Sequence, residues 1–137
     1  MSENNHSLIS IAGEAITKAR FVKRDATDNE QIDLADTKGE FCLGVATEAA
    51  SGAGKQLAIV VAGFVDVEAG GSLTAYDDIT TDAAGKAIQT DANSQKILGY
   101  YAPLPINSTM GPSTDATSGE LVRCYIFANK HVDSTGF

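Results

Sequence analysis

The sequence contains two similar segments whose starts are 57 positions apart, and both have the residue types of β-strands. The segment Ala12–Ala26 begins Ala-Gly-Glu-Ala-Ile-Thr, and the segment Ala69–Ala83 begins Ala-Gly-Gly-Ser-Leu-Thr. Five of the fifteen aligned positions are identical. Each segment is followed by apolar runs and glycine-ended loops in the same order. This pattern predicts an internal repeat over residues 12–61 and 69–127, made of two similar β-units.

Strand signals dominate the rest of the chain. Short alternating runs are typical of strands with one wet face, and near-continuous apolar runs are typical of strands covered on both faces. About nine strands are predicted: Leu8–Ala12, Ile16–Lys23, Phe41–Thr47, Leu57–Ala62, Phe64–Glu68, two around Ile79 and Ile88, Ile97–Ala102 and Leu121–Phe127. The predicted fold class is therefore all-β, a small β-barrel or sandwich built from two similar halves.

Domain boundaries follow from the same pattern. An extended N-terminal arm is predicted over residues 1–11, a single β domain over 12–128 and a loose C-terminal tail over 129–137. Gly85 lies in the turn between Ile79 and Ile88, at the position that needs a positive φ in a hairpin. The Ala-rich segment Glu48–Ala53 is the one plausible helix, although it is short.

Size and charge limit the classes of partner. A chain of 137 residues with 43% hydrophobic residues fits one domain with a buried core. Its net charge of −8 argues against nucleic-acid binding, because phosphates would repel it. Met1–Ser7 is polar and lacks the apolar core of a secretory signal, and no apolar run is long enough for a membrane helix. We expect synthesis in a cytosol and no membrane partner.

Residue types that carry catalysis are scarce. The two histidines, His6 and His131, lie near the ends of the sequence, where a catalytic imidazole would lack fixed support. Cys42 and Cys124 have no metal-ligand spacing and are predicted to be buried thiols. Ala49–Lys55 imitates a phosphate-binding loop, but Gln56 replaces the Ser or Thr that would hold magnesium. We predict no catalytic residue, no metal and no cofactor.

One enzyme family remains as an alternative. Gly63–Asp66 resembles the Gly-hydrophobic-hydrophobic-Asp motif of the trimeric all-β pyrophosphatases that hydrolyse dUTP, and Ile32–Leu34 is similar to the motif that carries their metal-associated Asp. Ser134–Gly136 resembles their phosphate-covering tail. The chain departs from that family where Ala69 replaces a Tyr and Ala50 replaces the Arg that grips phosphate, which would leave phosphate charge unpaired.

A longer resemblance depends on the order of glycine turns and apolar strands over more than 110 residues. The matching segments are Ala12–Ile16, Arg20–Lys23, Leu43–Ala46, the strand after Gly54, Gly63–Gly71, Asp82–Ala87, Leu98–Gly99 and Gly119–Val122. In this order and spacing the chain resembles the head decoration, or capsid cement, proteins of tailed bacteriophages. The loop Pro103–Ser118 is longer than that family would suggest.

The resemblance implies a β-tulip-like homotrimer on the outer surface of the phage capsid that clamps neighbouring major capsid subunits and stabilises the head. It implies no catalytic residue. The N-terminal arm would bind the capsid through Leu8, Ile9 and Ile11, which could add strand-like contacts to a sheet edge. Arg20 and Lys23 lie in a basic stretch that could contact an acidic protein surface, or that forms a solvated strand face. The segment Leu98–Ala102 and the final strand are candidates for the trimer face.

A third interpretation is a carbohydrate- or cell-surface-binding β-module. Such modules usually expose aromatic side chains, and this chain has no Trp. Tyr76, Tyr100 and Tyr101 are the clustered candidates, and burial in a strand or a subunit interface is the simpler explanation for them.

Overall fold

The computed structural model describes residues 6–25, 27, 30–103 and 115–127, and these residues form strands and turns without a helix. The prediction of an all-β fold is confirmed. The described residues contain nine strands: β1 (His6–Ala12), β2 (Phe21–Arg24), β3 (Gln31–Leu34), β4 (Gly44–Ala46), β5 (Gln56–Glu68), β6 (Asp78–Thr81), β7 (Ala87–Gln89), β8 (Gly99–Tyr101) and β9 (Leu121–Ile126). The predicted tail over 129–137 and most of the loop Pro103–Ser118 lie outside the described residues.

The strands form one sheet that closes on itself twice. Its order is β1-β3-β2-β4-β5-β9-β8-β6-β7, and β1 also pairs with β5. The β1–β5 pairing closes a first ring, β1-β3-β2-β4-β5, which we call ring 1. The second part of β5 pairs with β9, and a parallel bridge between Ala69 and Ala87 joins the end of β5 to β7. This bridge closes ring 2, β5-β9-β8-β6-β7, so the two rings share β5.

The two rings repeat the same backbone hydrogen bonds. Each residue of ring 1 has a counterpart in ring 2 at a fixed distance along the sequence. This distance is 57 positions for residues up to Asp25, 55 positions for Gln31 to Ala46 and 65 positions for Gly54 to Ala62. Ala12 N–H donates to Lys55 O at 2.8 Å, and in ring 2 Ala69 N–H donates to Glu120 O at 2.8 Å. Ile16 N–H donates to Ala50 O at 2.9 Å, and Leu73 N–H donates to Ala116 O at 3.0 Å. Gly54 N–H donates to Ala12 O at 2.7 Å, and Gly119 N–H donates to Ala69 O at 2.8 Å.

The buried cores follow the same correspondence. The core of ring 1 consists of Ala12, Ile16, Val22, Ile32, Ala46, Ala50, Leu57 and Ile59. Their counterparts all belong to the core of ring 2, and in the same order they are Ala69, Leu73, Ile79, Ala87, Tyr101, Ala116, Val122 and Cys124. Each ring therefore buries its own apolar interior, which is the main source of stability in a small β-domain.

Ring 1 packs against ring 2 through the outer side of β2 and β4. Phe21 and Val45, both fully buried, belong to the same apolar cluster as Leu98 and Ile126 of ring 2. Phe21 N–H donates a hydrogen bond of 2.7 Å to Gly85 O at the tip of the β6–β7 hairpin. Gly85 has a φ of 83°, as predicted for this turn. The contact fixes the two rings as one body.

Several predicted elements have different bounds in the structure. The predicted strand Ile16–Lys23 begins only at Phe21, because Ala19 has a φ of 66° that breaks the extended backbone. The predicted helix Glu48–Ala53 is wrong, since this segment is a turn in which Ala50 bridges Ile16. Strand β3 is missing from the predicted set, because Gln31 and Asp33 mask its apolar pattern.

The predicted N-terminal arm does not end where the β domain begins. Its described part, from His6, lies in β1 and continues into the domain as one strand up to Ala12. Antiparallel pairing with β5 runs from His6 to Ile11, and Ile11 and Ala12 also pair in parallel with β3. The backbone hydrogen bonds of this strand close ring 1, so residues 6–11 are part of the domain.

The two cysteines give a first test of the packing. Cys42 and Cys124 are free and buried, as predicted. Burial raises the pKa of both thiols, that of Cys124 to about 12, so the thiolate that reacts with disulfide reagents is scarce at neutral pH. We expect Ellman's reagent to leave both thiols unmodified in the folded protein at pH 8 and to titrate two thiols in 6 M guanidinium. A thiol that reacts in seconds without denaturant would contradict this packing.

Two matched glycines test the close approach of strands. A Cβ at Gly44 would collide with Val60 O, and a Cβ at the counterpart Gly99 would collide with Tyr125 O. We expect Gly44→Ala and Gly99→Ala each to lower the free energy of unfolding by about 1 to 3 kcal/mol, because backbone must move to admit the methyl group. Urea unfolding measures the loss. Gly52→Ala is the control, since no atom lies within 4 Å of its Cβ position; equal effects at all three sites would refute the steric argument.

Candidate interaction surfaces

Aromatic side chains form a continuous group on the outer side of ring 2. We call this group the aromatic face, and its members are Phe64, Tyr76, Tyr100, Tyr125 and Phe127. Tyr125 lies at the centre, with ring centroids 5.0 Å from Phe64, 5.5 Å from Tyr100 and 6.3 Å from Phe127. Tyr76 extends the group from Tyr100 at 6.5 Å. Neighbouring rings at these distances attract each other by about 0.5–1.5 kcal/mol per pair.

Strand alternation places these side chains outside the core. In β9, Val122, Cys124 and Ile126 point inward and are buried, so Arg123 and Tyr125 point outward. The antiparallel register sets Tyr125 opposite both Phe64 of β5 and Tyr100 of β8. The sequence therefore specifies which residues of β9 face outward, and the pairing brings aromatic residues from three strands together.

Arg123 joins the aromatic face through its guanidinium group. The Arg123 Cζ atom lies 4.1 Å from the centroid of the Phe64 ring, a cation–π contact. Leu121, the next outward residue of β9, is 60% exposed. An exposed surface that combines aromatic residues with an arginine has the composition typical of protein–protein contacts.

Tyr76 is held on this surface by an unusual backbone conformation. Its φ is 69°, a region that costs an L-residue roughly 1–2 kcal/mol. Tyr76 N–H donates to Tyr101 O at 2.8 Å, which fixes the kink, and the side chain is 68% exposed. The counterpart Ala19 has the same kink in ring 1 and is buried. Both repeats therefore share this backbone conformation, but only the second repeat has an exposed aromatic side chain at this position.

A second apolar surface lies on β1. Leu8 and Ile9 are 48% and 68% exposed, and Ile11 is half-buried. Among the described residues, no strand pairs with the second edge of β1 before Ile11. The backbone groups of that edge and two exposed aliphatic side chains therefore lie side by side, an arrangement that suits the addition of a strand from a partner.

The two predicted cationic contacts have partners within the chain. Arg20 donates hydrogen bonds of 3.1 and 3.0 Å from Nε and Nη2 to Glu68 Oε1, and a third to Ala84 O. Lys23 Nζ lies 2.5 Å from Asp36 Oδ1 and 3.4 Å from Glu40 Oε1. The hydrogen bond from Lys23 to Asp36 is the largest of the effects that raise the pKa of this lysine. A capsid contact by Arg20 or Lys23 stays a prediction.

Two of the residues that carry the resemblance to the dUTP pyrophosphatases, Asp66 and Asp33, lie on different strands, and the tail segment Ser134–Gly136 lies outside the described residues. Asp66 lies on the outward side of β5 opposite Arg123, and Asp33 lies on β3 of the other ring. Burial raises the pKa of Asp33, and the charges of Asp25 and Glu14 raise it further, which opposes the ionised form that a metal ligand requires. Within the described ranges, no group of three or more His, Cys, Asp or Glu residues is arranged to hold a metal.

A groove between the rings lies beside Asp66. It has a volume of about 180 Å³ and is lined by Lys18, Ala19, Ala46, Thr47, Val65, Asp66 and Leu121. Pockets for small molecules usually measure roughly 300–1,000 Å³.

The turn Ala49–Lys55 is the glycine-rich connection between β4 and β5, with Gly54 at a φ of 87°, and no helix follows it. No helix of the described residues is long and apolar enough to cross a membrane.

Comparison with known proteins gives a likeness in fold. No protein-family model matches the chain. No curated protein matches it either. Among solved structures, the crystal structure of the head fiber gp8.5 N base in bacteriophage phi29 is similar, with 20% sequence identity and a TM-score of 0.64. The match covers 94% of this chain and 98% of that chain. The chain therefore has the fold of that phage base over nearly its whole length.

The ion pairs of Glu68, of which the one with Arg20 joins the two rings, give a prediction about pH. Glu68 accepts from Arg20 of ring 1, and its Oε2 lies 3.3 Å from Lys86 Nζ. Burial raises the pKa of Glu68, but hydrogen bonds and charge from Arg20 and Lys86 outweigh it, so the pKa falls below the ordinary 4.5. Folding therefore favours the charged form. This contribution is present above about pH 4.5 and is lost as the pH falls through the lowered pKa.

We expect Glu68→Gln to reduce the free energy of unfolding at pH 7 by about 1 to 2 kcal/mol, because Arg20 and Lys86 lose their charged partner. The difference from the wild type should shrink as the pH falls from about 4.5 through the lowered pKa of Glu68, because the wild-type carboxyl then becomes neutral as well. Urea unfolding at pH 7, 5 and 3 measures this. Glu48→Gln, a change at an exposed carboxylate, serves as the control. A difference between wild type and Glu68→Gln that stays constant from pH 7 to 3 would contradict the ion-pair account.

Proposed function

We propose that this chain is a structural protein of a bacteriophage virion. It binds the outer surface of the capsid as a homotrimer and stabilises the head by clamping neighbouring major capsid subunits. It transforms no molecule and needs no cofactor. The observation that supports this proposal most is the shared fold with the base of a phage head fiber, which extends over 94% of this chain and 98% of that chain.

The charge and surfaces of the chain agree with this role. A net charge of −8 keeps free copies soluble and resists non-specific association. A trimer on a ring of capsid subunits would multiply three weak contacts through effective concentration. Binding to assembled shell in preference to free subunits would then stabilise the shell by mass action.

The β1 edge is the proposed capsid contact. Leu8 and Ile9 are exposed beside an edge that no described strand covers before Ile11. An extended segment of the major capsid protein could add to this edge, with the two aliphatic side chains supplying apolar contact. Since residues 6–11 also close ring 1, their deletion would damage the fold, and point substitutions are the appropriate test.

Carbohydrate binding is a second candidate, which the exposed aromatic face favours. Aromatic rings that stack on sugars usually present a flat face to the ligand. Here the planes of Tyr125 and Phe64 are inclined by 65°, and those of Tyr125 and Phe127 by 76°. These angles give interlocked edges and faces that suit another protein surface better than a sugar ring.

Co-sedimentation with purified phage heads that lack decoration tests the capsid role. We expect the wild-type protein to pellet with expanded heads of its own phage and to raise the temperature at which they rupture. Leu8→Ser combined with Ile9→Ser should weaken binding about 10-fold or more, because two apolar contacts are lost. Ala53→Ser, which also places a serine at an exposed apolar residue but in the turn between β4 and β5, is the control. Wild-type protein that fails to bind heads, while binding glycans on an array, would favour the second candidate and refute the first.

A further inference from the structure

The packing of ring 1 on ring 2 defines two complementary surfaces. Ring 1 contributes an outer side centred on Phe21 and Val45 of β2 and β4. Ring 2 contributes an end surface that includes Leu98, Ile126 and the hairpin turn at Gly85. The contact is head to tail, because different sides of the two similar rings meet. A head-to-tail contact leaves one surface of each kind uncovered at the two ends of the pair.

The uncovered outer side belongs to ring 2 and consists of the aromatic face together with the exposed Asp78, the counterpart of Phe21. The counterpart of Val45 is Tyr100, and the counterpart of Val60 is Tyr125. The other correspondences are Ala19 with Tyr76 and Ala62 with Phe127. The four ring 1 residues are buried, with exposures of 5% for Ala19, 0% for Val45, 5% for Val60 and 7% for Ala62. Their ring 2 counterparts are large aromatic residues, of which Tyr76 is 68% exposed.

The uncovered end surface belongs to ring 1. The counterparts of Leu98 and Ile126 are Leu43 and Val61. Leu98 and Ile126 are 6% and 3% exposed, because ring 1 covers them. Leu43 and Val61 have no ring covering them and are only partly buried. Each uncovered surface of the chain is thus the repeat counterpart of a surface that is covered within the same chain.

We propose that the aromatic face of one copy binds the ring 1 end surface of a second copy, around Leu43 and Val61, in the same orientation in which ring 1 and ring 2 meet inside the chain. The occupant of the aromatic face is therefore another molecule of this protein. The choice of surfaces follows from the repeat. The copy number of three rests on the proposed function. Three chains would then form a closed assembly in which the three copies of ring 1 and the three copies of ring 2 alternate.

The contact inside the chain is never exposed to water, whereas the proposed contact between two copies is exposed in the free chain, and the residue types at the two contacts agree with this difference. The contact inside the chain is permanently buried and centres on Phe21, with small aliphatic side chains such as Val45 and Ala19 beside it. Tyr76, Tyr100 and Tyr125 keep hydroxyl groups that water can solvate in the free chain, while their rings supply apolar area on binding. The Arg20–Glu68 ion pair has no repeat counterpart, because Asp77 and Ile11 stand at those positions. The contact between copies is therefore related to the internal one without being identical.

Disulfide trapping tests the orientation. Inside the chain, Val45 and Leu98 belong to one cluster, so their counterparts Tyr100 and Leu43 should meet across the interface. We expect the double variant Tyr100→Cys with Leu43→Cys to form interchain disulfides on mild oxidation. Dimers, trimers and cyclised trimers should then appear on a non-reducing gel. Native Cys42 and Cys124 are buried and should not compete.

The single variants decide between orientations. Neither Tyr100→Cys nor Leu43→Cys alone should cross-link, since in a head-to-tail contact neither position meets itself. Efficient linking of Tyr100→Cys to its own kind would show that two aromatic faces meet and would overturn the proposal. Absence of cross-links in the double variant, with the wild-type circular dichroism spectrum retained, would overturn it as well.

Mass measurements separate this inference from the capsid role. Sedimentation equilibrium of Tyr100→Ser with Tyr125→Ser should show a self-association constant weakened roughly 10- to 100-fold, as for loss of central aromatic contacts. Ala53→Ser, a change at an exposed residue of the turn between β4 and β5 and outside both surfaces, should keep the wild-type mass. A wild-type protein that stays monomeric at 1 mM, or tyrosine variants of unchanged mass, would overturn the inference. Unchanged mass with lost head binding in Ile9→Ser would support the capsid role independently.

Discussion

The strand β5 is the constraint on which the rest of the structure depends. Its thirteen residues, Gln56–Glu68, pair with β1 and β4 in the first part and with β9 in the second. One uninterrupted strand therefore supplies a wall to each ring, and Gly63, with a φ of 112°, stands where the partners change. Leu57 and Ile59 point into one core and Val67 into the other. The other strands of each ring pair one after another starting from this shared strand.

Much of this arrangement could be predicted from the sequence, and the reasons for the failures are local. The similarity of Ala12–Ala26 to Ala69–Ala83 predicts two β-units, and matched hydrogen bonds relate the two rings. The sequence does not reveal that β1 corresponds to the second part of β5, because His6–Ile11 and Gly63–Glu68 share no identical residue. The correspondence lies in strand pairing, which many side chains can support.

The candidate surfaces are predictable only in part. Alternation in the final strand indicates that Arg123 and Tyr125 share one side, and Leu98–Ala102 is a predicted candidate for a subunit contact. That Phe64 and Tyr100 join Tyr125 depends on the register between three strands, which the sequence does not state. Arg20 and Lys23 could not be assigned from the sequence, because their acidic partners Glu68 and Asp36 lie 48 and 13 positions away along the chain.

The sharing of β5 has a consequence for how the protein comes apart. A strand that is half in one closed ring and half in the other cannot leave either without removing hydrogen-bond partners from both. Opening of the strand around Leu57 would therefore loosen the far ring through Val67, and partial melting of one unit alone is disfavoured. The molecule should lose its structure in a single cooperative step, so that amide protons deep in the two halves exchange with solvent at closely similar rates.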